Sequence, residues 1–191
     1  MNFLVTQYKH ENYLKYCNSL KYVENPVEII NQYTEHTSEL YKKINFALAA
    51  DSEVLRSQGE YITNLRNSIL SQPLYDDCLL YRGVSLSKTE IAKMEELQQF
   101  FIPSFTSTSV DSTKAYQNSS LMVIKLPYAC KYAASITDKL SKYYHQEREV
   151  LISCYSAFRL ERIENQGRTQ VISLYLDEYL TGLNSIGPAE F

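Results

Sequence analysis

Three short segments of this chain put charged or hydroxyl side chains beside apolar runs. The first is Tyr81-Arg82-Gly83, which follows Cys78-Leu79-Leu80. Arginine offers a planar fork of N–H donors suited to phosphate oxygens, and a glycine beside it lets a ligand approach the backbone. Taken alone, an arginine after a strand is more often a solvated surface residue. The second is Ser107-Thr108-Ser109, preceded by Phe105-Thr106. A strand-borne hydroxyl can orient a carboxylate without adding charge, although hydroxyl runs are also common in turns. The third is Glu147-Arg148-Glu149, which leads into Val150-Leu151-Ile152. Residues i and i+2 of a strand share a face, so Glu147 and Glu149 would converge on one cleft. Two carboxylates that close disturb each other's ionisation; alone, a charged strand end in water is the commoner case.

Composition limits the chemistry. The chain has 191 residues, 19 Lys plus Arg against 22 Asp plus Glu, and a net charge of -3. That length fits one domain, here taken as 1–191 with a helical part over 1–72 and a β-rich core over 73–191. The acidic balance argues against a nucleic-acid partner, which wants clustered excess cation. Only five glycines occur, at 59, 83, 167, 182 and 187. They assemble neither a G-x-G-x-x-G loop nor a Walker loop, so a Rossmann or P-loop nucleotide enzyme is excluded. The cysteines, Cys17, Cys78, Cys130 and Cys154, form no C-x-x-C pair, and His10, His36 and His145 are scattered, so no metal site is expected. Free thiols in a reducing compartment are the simplest account. The first ten residues show no cationic stretch followed by an apolar core, and no apolar run approaches the roughly 20 residues of a membrane span. A soluble protein without signal peptide or membrane contact is expected, acting in a cytoplasm where it is made or after delivery.

The elements that must carry the three segments divide into helices first and strands later. Leu40, Ile44, Ala47 and Leu48 fall on one helical face, and Val54, Leu55, Ile62, Leu65 and Ile69 on another, loosened near Gly59. Ser87-Lys88-Thr89-Glu90 is a capping box that should open a helix to about Gln98. Apolar or alternating runs at 78–81, 101–102, 105–106, 121–126, 149–153, 158–163 and 171–176 read as strands. This order predicts an α+β domain, not an alternating parallel one.

The ordered set of Tyr81-Arg82, then Ser107-Thr108-Ser109, then Glu147-x-Glu149 resembles the R-S-E class of mono-ADP-ribosyltransferases, its toxin and exoenzyme branch above all. The resemblance extends upstream. Tyr33-Thr34 and Tyr41-Lys-Lys-Ile44-Asn45-Phe-Ala-Leu48-Ala49 are similar to that branch's Tyr-Thr and Tyr-x-x-Ile-Asn-x-x-Leu-Arg. It departs at Ala49, where the branch often carries a phosphate-binding arginine, and at Ser119, where another is frequent. Arg56, Arg66 or lysines are the candidates to replace them.

The resemblance implies an ADP-ribosyltransferase fold with a helical N-terminal part packed on a two-sheet, mainly antiparallel β core. It implies NAD as a consumed substrate and a target protein with an acceptor arginine. Actin, a small GTPase or a polymerase subunit are the kinds of acceptor it brings, with the enzyme a monomer. Glu149 would stabilise the cationic sugar of the transition state, Ser107 would hold Glu149, and Arg82 would grip phosphate or ribose. Asn45, Gly83, Thr108, Ser109 and Tyr116 would complete the NAD site, with Gly83 at the nicotinamide amide and Tyr116 stacked on its ring. Glu147 would select arginine as acceptor, and Tyr143 and Tyr144 would contact the target. An NAD glycohydrolase on the same fold, or a non-catalytic NAD-binding module, are the alternatives.

Overall fold

The computed structural model describes residues 21–35, 39–76, 79–115, 118–137, 148–179 and 181. Among the described residues three helices come first: α1 (Pro26–Thr34), α2 (Leu40–Ala50) and α3 (Val54–Leu70). Pro26 starts α1, where a missing N–H costs nothing. Helix α3 runs 17 residues without a break at Gly59, which is buried in it; the loosening expected there is absent. Strand β1 (Leu79–Val84) follows, then α4 (Lys88–Leu97), β2 (Gln99–Ile102) and β3 (Thr106–Ser109). The capping box forms as its sequence requires: Glu90 N donates to Ser87 Oγ at 3.2 Å, and Ser87 N donates to Glu90 Oε2 at 2.8 Å. The short α5 (Ser112–Ala115) precedes β4 (Ser120–Lys125), β5 (Ala133–Ser135), β6 (Glu149–Ile152), β7 (Ser156–Gln166) and β8 (Thr169–Asp177).

The strands are hydrogen-bonded in the order β2-β7-β8-β4-β1-β3-β6-β5. Every pairing is antiparallel except β4 with β8. The α+β expectation holds, but hydrogen bonds link all eight strands where two sheets were expected. The two halves meet at a single residue pair, Tyr81 opposite Ser109. So narrow a seam lets each half follow its own twist while staying connected.

Two apolar cores lie on opposite sides of the β2, β5 and β6 strands. Phe101, Ala134 and Leu151 point into the core shared with α1, α2 and α3, beside Ile30, Ile44, Leu48, Leu55 and Ile62. Their chain neighbours Phe100, Ile102, Ala133, Val150 and Ile152 point into the other, with Leu80, Met122, Ile124, Phe158 and Leu174. Strands buried on both faces need continuous apolar runs, and Phe100-Phe101-Ile102 and Val150-Leu151-Ile152 supply them.

Arg66 of α3 is 1% exposed. Its Nη1 donates to Ser153 Oγ at 3.0 Å and to the Cys154 carbonyl at 2.6 Å, and its guanidinium lies 5.9 Å from the Tyr132 ring centre. Arg66 therefore ties the helical part to the turn after β6 and does not replace a phosphate-binding arginine. Arg56 is exposed on the same helix.

Cys130 is fully buried, and its backbone pairs with Tyr75. Burial pushes its thiol up to about 12, from an ordinary 9.0. A raised folded-state value means that the contribution of this thiol to stability is complete below 9.0 and is lost as pH climbs from there toward about 12. Only the thiolate alkylates. At pH 8 the native protein should take up iodoacetamide at Cys130 roughly a thousandfold more slowly than the urea-unfolded chain, measured by peptide mass spectrometry.

Candidate active site

Arg82 stands inside β1, not after its end, because the strand continues to Val84. Its half-buried guanidinium donates from Nη1 to the Ser107 carbonyl of β3 at 2.8 Å. This bond crosses between the two strands whose ladder is a single pair. Burial draws the Arg82 pKa below its ordinary value, while the neighbouring Tyr33 and Glu149 act in the opposite direction. Arg82, Tyr33 and Glu149 are thus brought together from β1, α1 and β6. Arginine does not deprotonate in proteins, so Arg82 supplies a cation.

Glu149 is half-buried and begins β6. Arg148 before it has φ 45, the left-handed region. Glu147, Tyr143, Tyr144 and Tyr116 lie outside the described residues.

The hydroxyls of β3 divide three ways. Ser107 is exposed, and its carbonyl holds Arg82. Thr108 is buried and donates its hydroxyl to the Val150 carbonyl at 2.7 Å, which commits its proton to the strand pairing. Ser109 is 8% exposed, lies directly opposite Glu149, and accepts the Asp111 N–H at 3.0 Å.

Asn45 of α2 works on the approach to β3. Its Oδ1 accepts the Phe105 N–H at 3.0 Å, while Nδ2 donates to the Phe105 carbonyl at 3.3 Å and to Tyr33 Oη at 2.9 Å. One amide side chain satisfies both backbone groups of Phe105, as a neighbouring strand would. Both of its N–H groups are engaged by the protein. Tyr33 is 4% exposed and packs on Phe105 at 5.4 Å between ring centres. Burial pushes its hydroxyl far above the ordinary tyrosine value, with the Asn45 donor acting against that shift. Arg82, Asn45, Phe105 and Thr106, with Ile102, Ser104 and Met122, line a cavity of about 140 Å³. Sequence alone did not mark Thr106 or Met122, which are ordinary strand residues until the pairing brings them under Arg82.

Gly83 has a packing reason. A Cβ there would stand 2.0 Å from the Ala115 carbonyl oxygen and 2.9 Å from Asn118 Nδ2. The space that a side chain would take at Gly83 is filled by the end of α5. Of the two positions where phosphate-binding arginines were missed, Ala49 is buried and Ser119 is exposed, its carbonyl accepting the Gln170 N–H at 3.2 Å. Among the described residues there is no metal-holding group of His, Cys, Asp and Glu, and no helix long and apolar enough to cross a membrane.

The family model for NAD:arginine ADP-ribosyltransferase matches residues 24–179, and the chain belongs to that family. Solved structures agree in fold. The Vis toxin, an ADP-ribosyltransferase from Vibrio splendidus, is similar at 22% identity and a TM-score of 0.65, over 88% of this chain and 82% of that one. The catalytic domain of VahC from Aeromonas hydrophila is similar at 19% identity and a TM-score of 0.59, over 82% of this chain and 100% of that one. The Salmonella SpvB domain is similar at 17% identity and a TM-score of 0.60, over 81% and 99%. Comparison with curated proteins by sequence finds no match.

Two substitutions test this construction. Gly83→Ala should force α5 off β1 and lower the thermal midpoint by several degrees, read by circular dichroism. Asn45→Ala strips partners from both Phe105 backbone groups and should cost about 2 kcal/mol in urea unfolding. A loss within 0.5 kcal/mol would show that Phe105 finds other partners.

Proposed function

We propose that this protein is an arginine-directed mono-ADP-ribosyltransferase, one domain over 1–191, active as a monomer. It splits NAD between nicotinamide and ribose and transfers ADP-ribose to a guanidinium of a target protein. The observation that supports this reading is that Arg82 of β1, held by the Ser107 carbonyl of β3, stands within electrostatic reach of Glu149 of β6. The described residues suit NAD as substrate: Arg82 supplies a cation for phosphate or ribose, and Glu149 supplies an anion for the sugar.

The bond between nicotinamide and ribose C1′ breaks with its electron pair leaving on nicotinamide. Positive charge develops on the sugar, and a fixed carboxylate stabilises it without reorganisation. Glu149, half-buried at a strand start, is that carboxylate. Arg82, already oriented by the Ser107 carbonyl, holds the remaining part of the substrate. Ser107 faces the substrate side, and Tyr116 stacks on nicotinamide. Asn45 and Thr108 serve by fixing β3, because their donors are engaged within the protein.

Glu147 pairs with the incoming guanidinium and takes its proton as the new N–C1′ bond forms, since a guanidinium does not give up that proton beforehand. Tyr143 and Tyr144 flank the acceptor. The structure of the Vis enzyme with agmatine supports a guanidinium acceptor, because agmatine ends in that group. The likeness to toxins supports action as a delivered effector on a protein such as actin, a small GTPase or a polymerase subunit.

Incubation with labelled NAD and lysate, followed by mapping of the modified residue, tests the reading. Glu149→Gln should abolish nicotinamide release and transfer together. Glu147→Gln should abolish arginine transfer while keeping NAD hydrolysis. Wild-type hydrolysis with no transfer to any protein would instead support the glycohydrolase, and absence of nicotinamide release would support the binding module.

A further inference from the structure

We infer that the outward face of strands β1, β4, β8 and β7 is a docking surface for an acidic segment of the target protein. This rests on the reading of the chain as an enzyme that modifies a protein. The register lines up four residues, one from each strand: Leu79 opposite Lys125, Lys125 opposite Tyr175, and Tyr175 opposite Arg159. Directly opposed residues project from the same face of a sheet. Their chain neighbours Leu80, Ile124, Leu174 and Phe158 point into an apolar core. Strand alternation therefore turns the row of four the other way, toward solvent.

This outward face is closed at one end and open at the other. Leu121 and Val171, opposite each other and level with Gly83, are buried where the end of α5 lies. Two residues along, Val123 and Ser173 are only half-buried. At the row itself Leu79, Lys125 and Arg159 are exposed and Tyr175 is half-buried. Leu79, Val123 and the Tyr175 ring give the open part apolar area, and Lys125 and Arg159 give it charge.

The charges point to the occupant. The chain carries a net charge of -3, yet this row holds two cations and no carboxylate. Among the described residues neither Lys125 nor Arg159 forms a salt bridge, whereas Arg162, opposite Ser173, is paired with Glu164 at 3.4 Å. The Arg159 guanidinium lies 5.1 Å from the Tyr175 ring centre. That contact holds the cation in place and reduces the freedom it loses on binding. Two strand spacings separate Lys125 from Arg159, about 10 Å. A partner that meets both cations offers carboxylates about that far apart. Residues seven apart on one face of an α-helix are about 10.5 Å apart, which is one way to supply them.

The face also reaches the site. Tyr81 shares it, two residues along β1 from Leu79. Tyr81 is both the residue before Arg82 and the one paired with Ser109 at the seam. A target held on this face is held beside the site, and its binding leaves the NAD contacts untouched.

The experiment compares the wild type with the double variant Lys125→Glu/Arg159→Glu, with its neutral counterpart Lys125→Gln/Arg159→Gln, and with Lys88→Glu, which changes an exposed lysine on α4. The first readout is fluorescence anisotropy of an alanine-rich helical peptide with glutamates seven residues apart, beside the same peptide with glutamines. The wild type and Lys88→Glu should bind the glutamate peptide alike. The glutamate double variant should bind it at least about tenfold more weakly, with the neutral variant between. Binding should fade in about 1 M salt, where the Debye length is about 3 Å. The second readout is ADP-ribose transfer to the mapped protein acceptor beside transfer to agmatine. The glutamate double variant should lose kcat/KM for the protein roughly tenfold while agmatine transfer and nicotinamide release stay unchanged. A parallel fall in agmatine transfer overturns the proposal, as does equal peptide binding by the wild type and the double variant, or equal binding of the glutamine peptide. Wild-type dimers in sedimentation that the double variant loses would assign the face to a second copy. Binding to phosphatidylserine vesicles without binding to the peptide would assign it to a lipid surface. Either overturns the proposal. Failure of the underlying reading shows separately, as wild-type protein that releases no nicotinamide or that modifies agmatine and no protein; the peptide titration decides the surface in either case.

Discussion

The site depends on a seam one residue pair wide. Five strands, β2, β7, β8, β4 and β1, form one half of the sheet, and β3, β6 and β5 form the other. Among the described residues, Tyr81 and Ser109 are the only paired residues between them. A ladder so short leaves backbone groups that need other partners, and the Arg82 guanidinium takes one of them, the Ser107 carbonyl. Arg82 of β1 and Glu149 of β6 lie on either side of β3, within electrostatic reach of each other.

A seam this narrow is stable only if both halves are held from outside. Asn45 and Tyr33 clamp the entry to β3 at Phe105, and Arg66 clamps the exit from β6 at Ser153 and Cys154. Both clamps come from the helical part. A buried guanidinium is costly unless its donors are satisfied, so Arg66 fixes its surroundings as firmly as they fix it. The helices thus do more than cover an apolar face. They set the two ends of the β3–β6 ladder, on which the register of Glu149 depends.

Sequence carried the motifs and their order, the capped helix at Ser87, and most strands to within a few residues. It carried the runs buried on both faces, because a strand between two cores must be apolar at consecutive positions, as at Val150-Leu151-Ile152. It misplaced roles where one residue type serves two purposes. Arg66 and Arg82 are both plausible phosphate ligands on paper, and only burial separates them. Gly83 has a packing reason that sequence could not show, since a side chain there would meet the Ala115 carbonyl. Three adjacent hydroxyls looked alike until pairing gave Thr108 to a backbone carbonyl and set Ser109 across from Glu149.

The sequence by itself determined the chemical inventory: an arginine, a hydroxyl run and a pair of glutamates in fixed order, on a chain too poor in glycine for the usual dinucleotide loops. Those are properties of residue type and spacing, which need no partner to be expressed. The tertiary structure alone decided which group meets which. Register, burial and the conformation of Arg148 depend on contacts between residues tens of positions apart. Arg148 takes a left-handed φ immediately before β6, and a local pattern cannot show where a chain will leave the extended conformation.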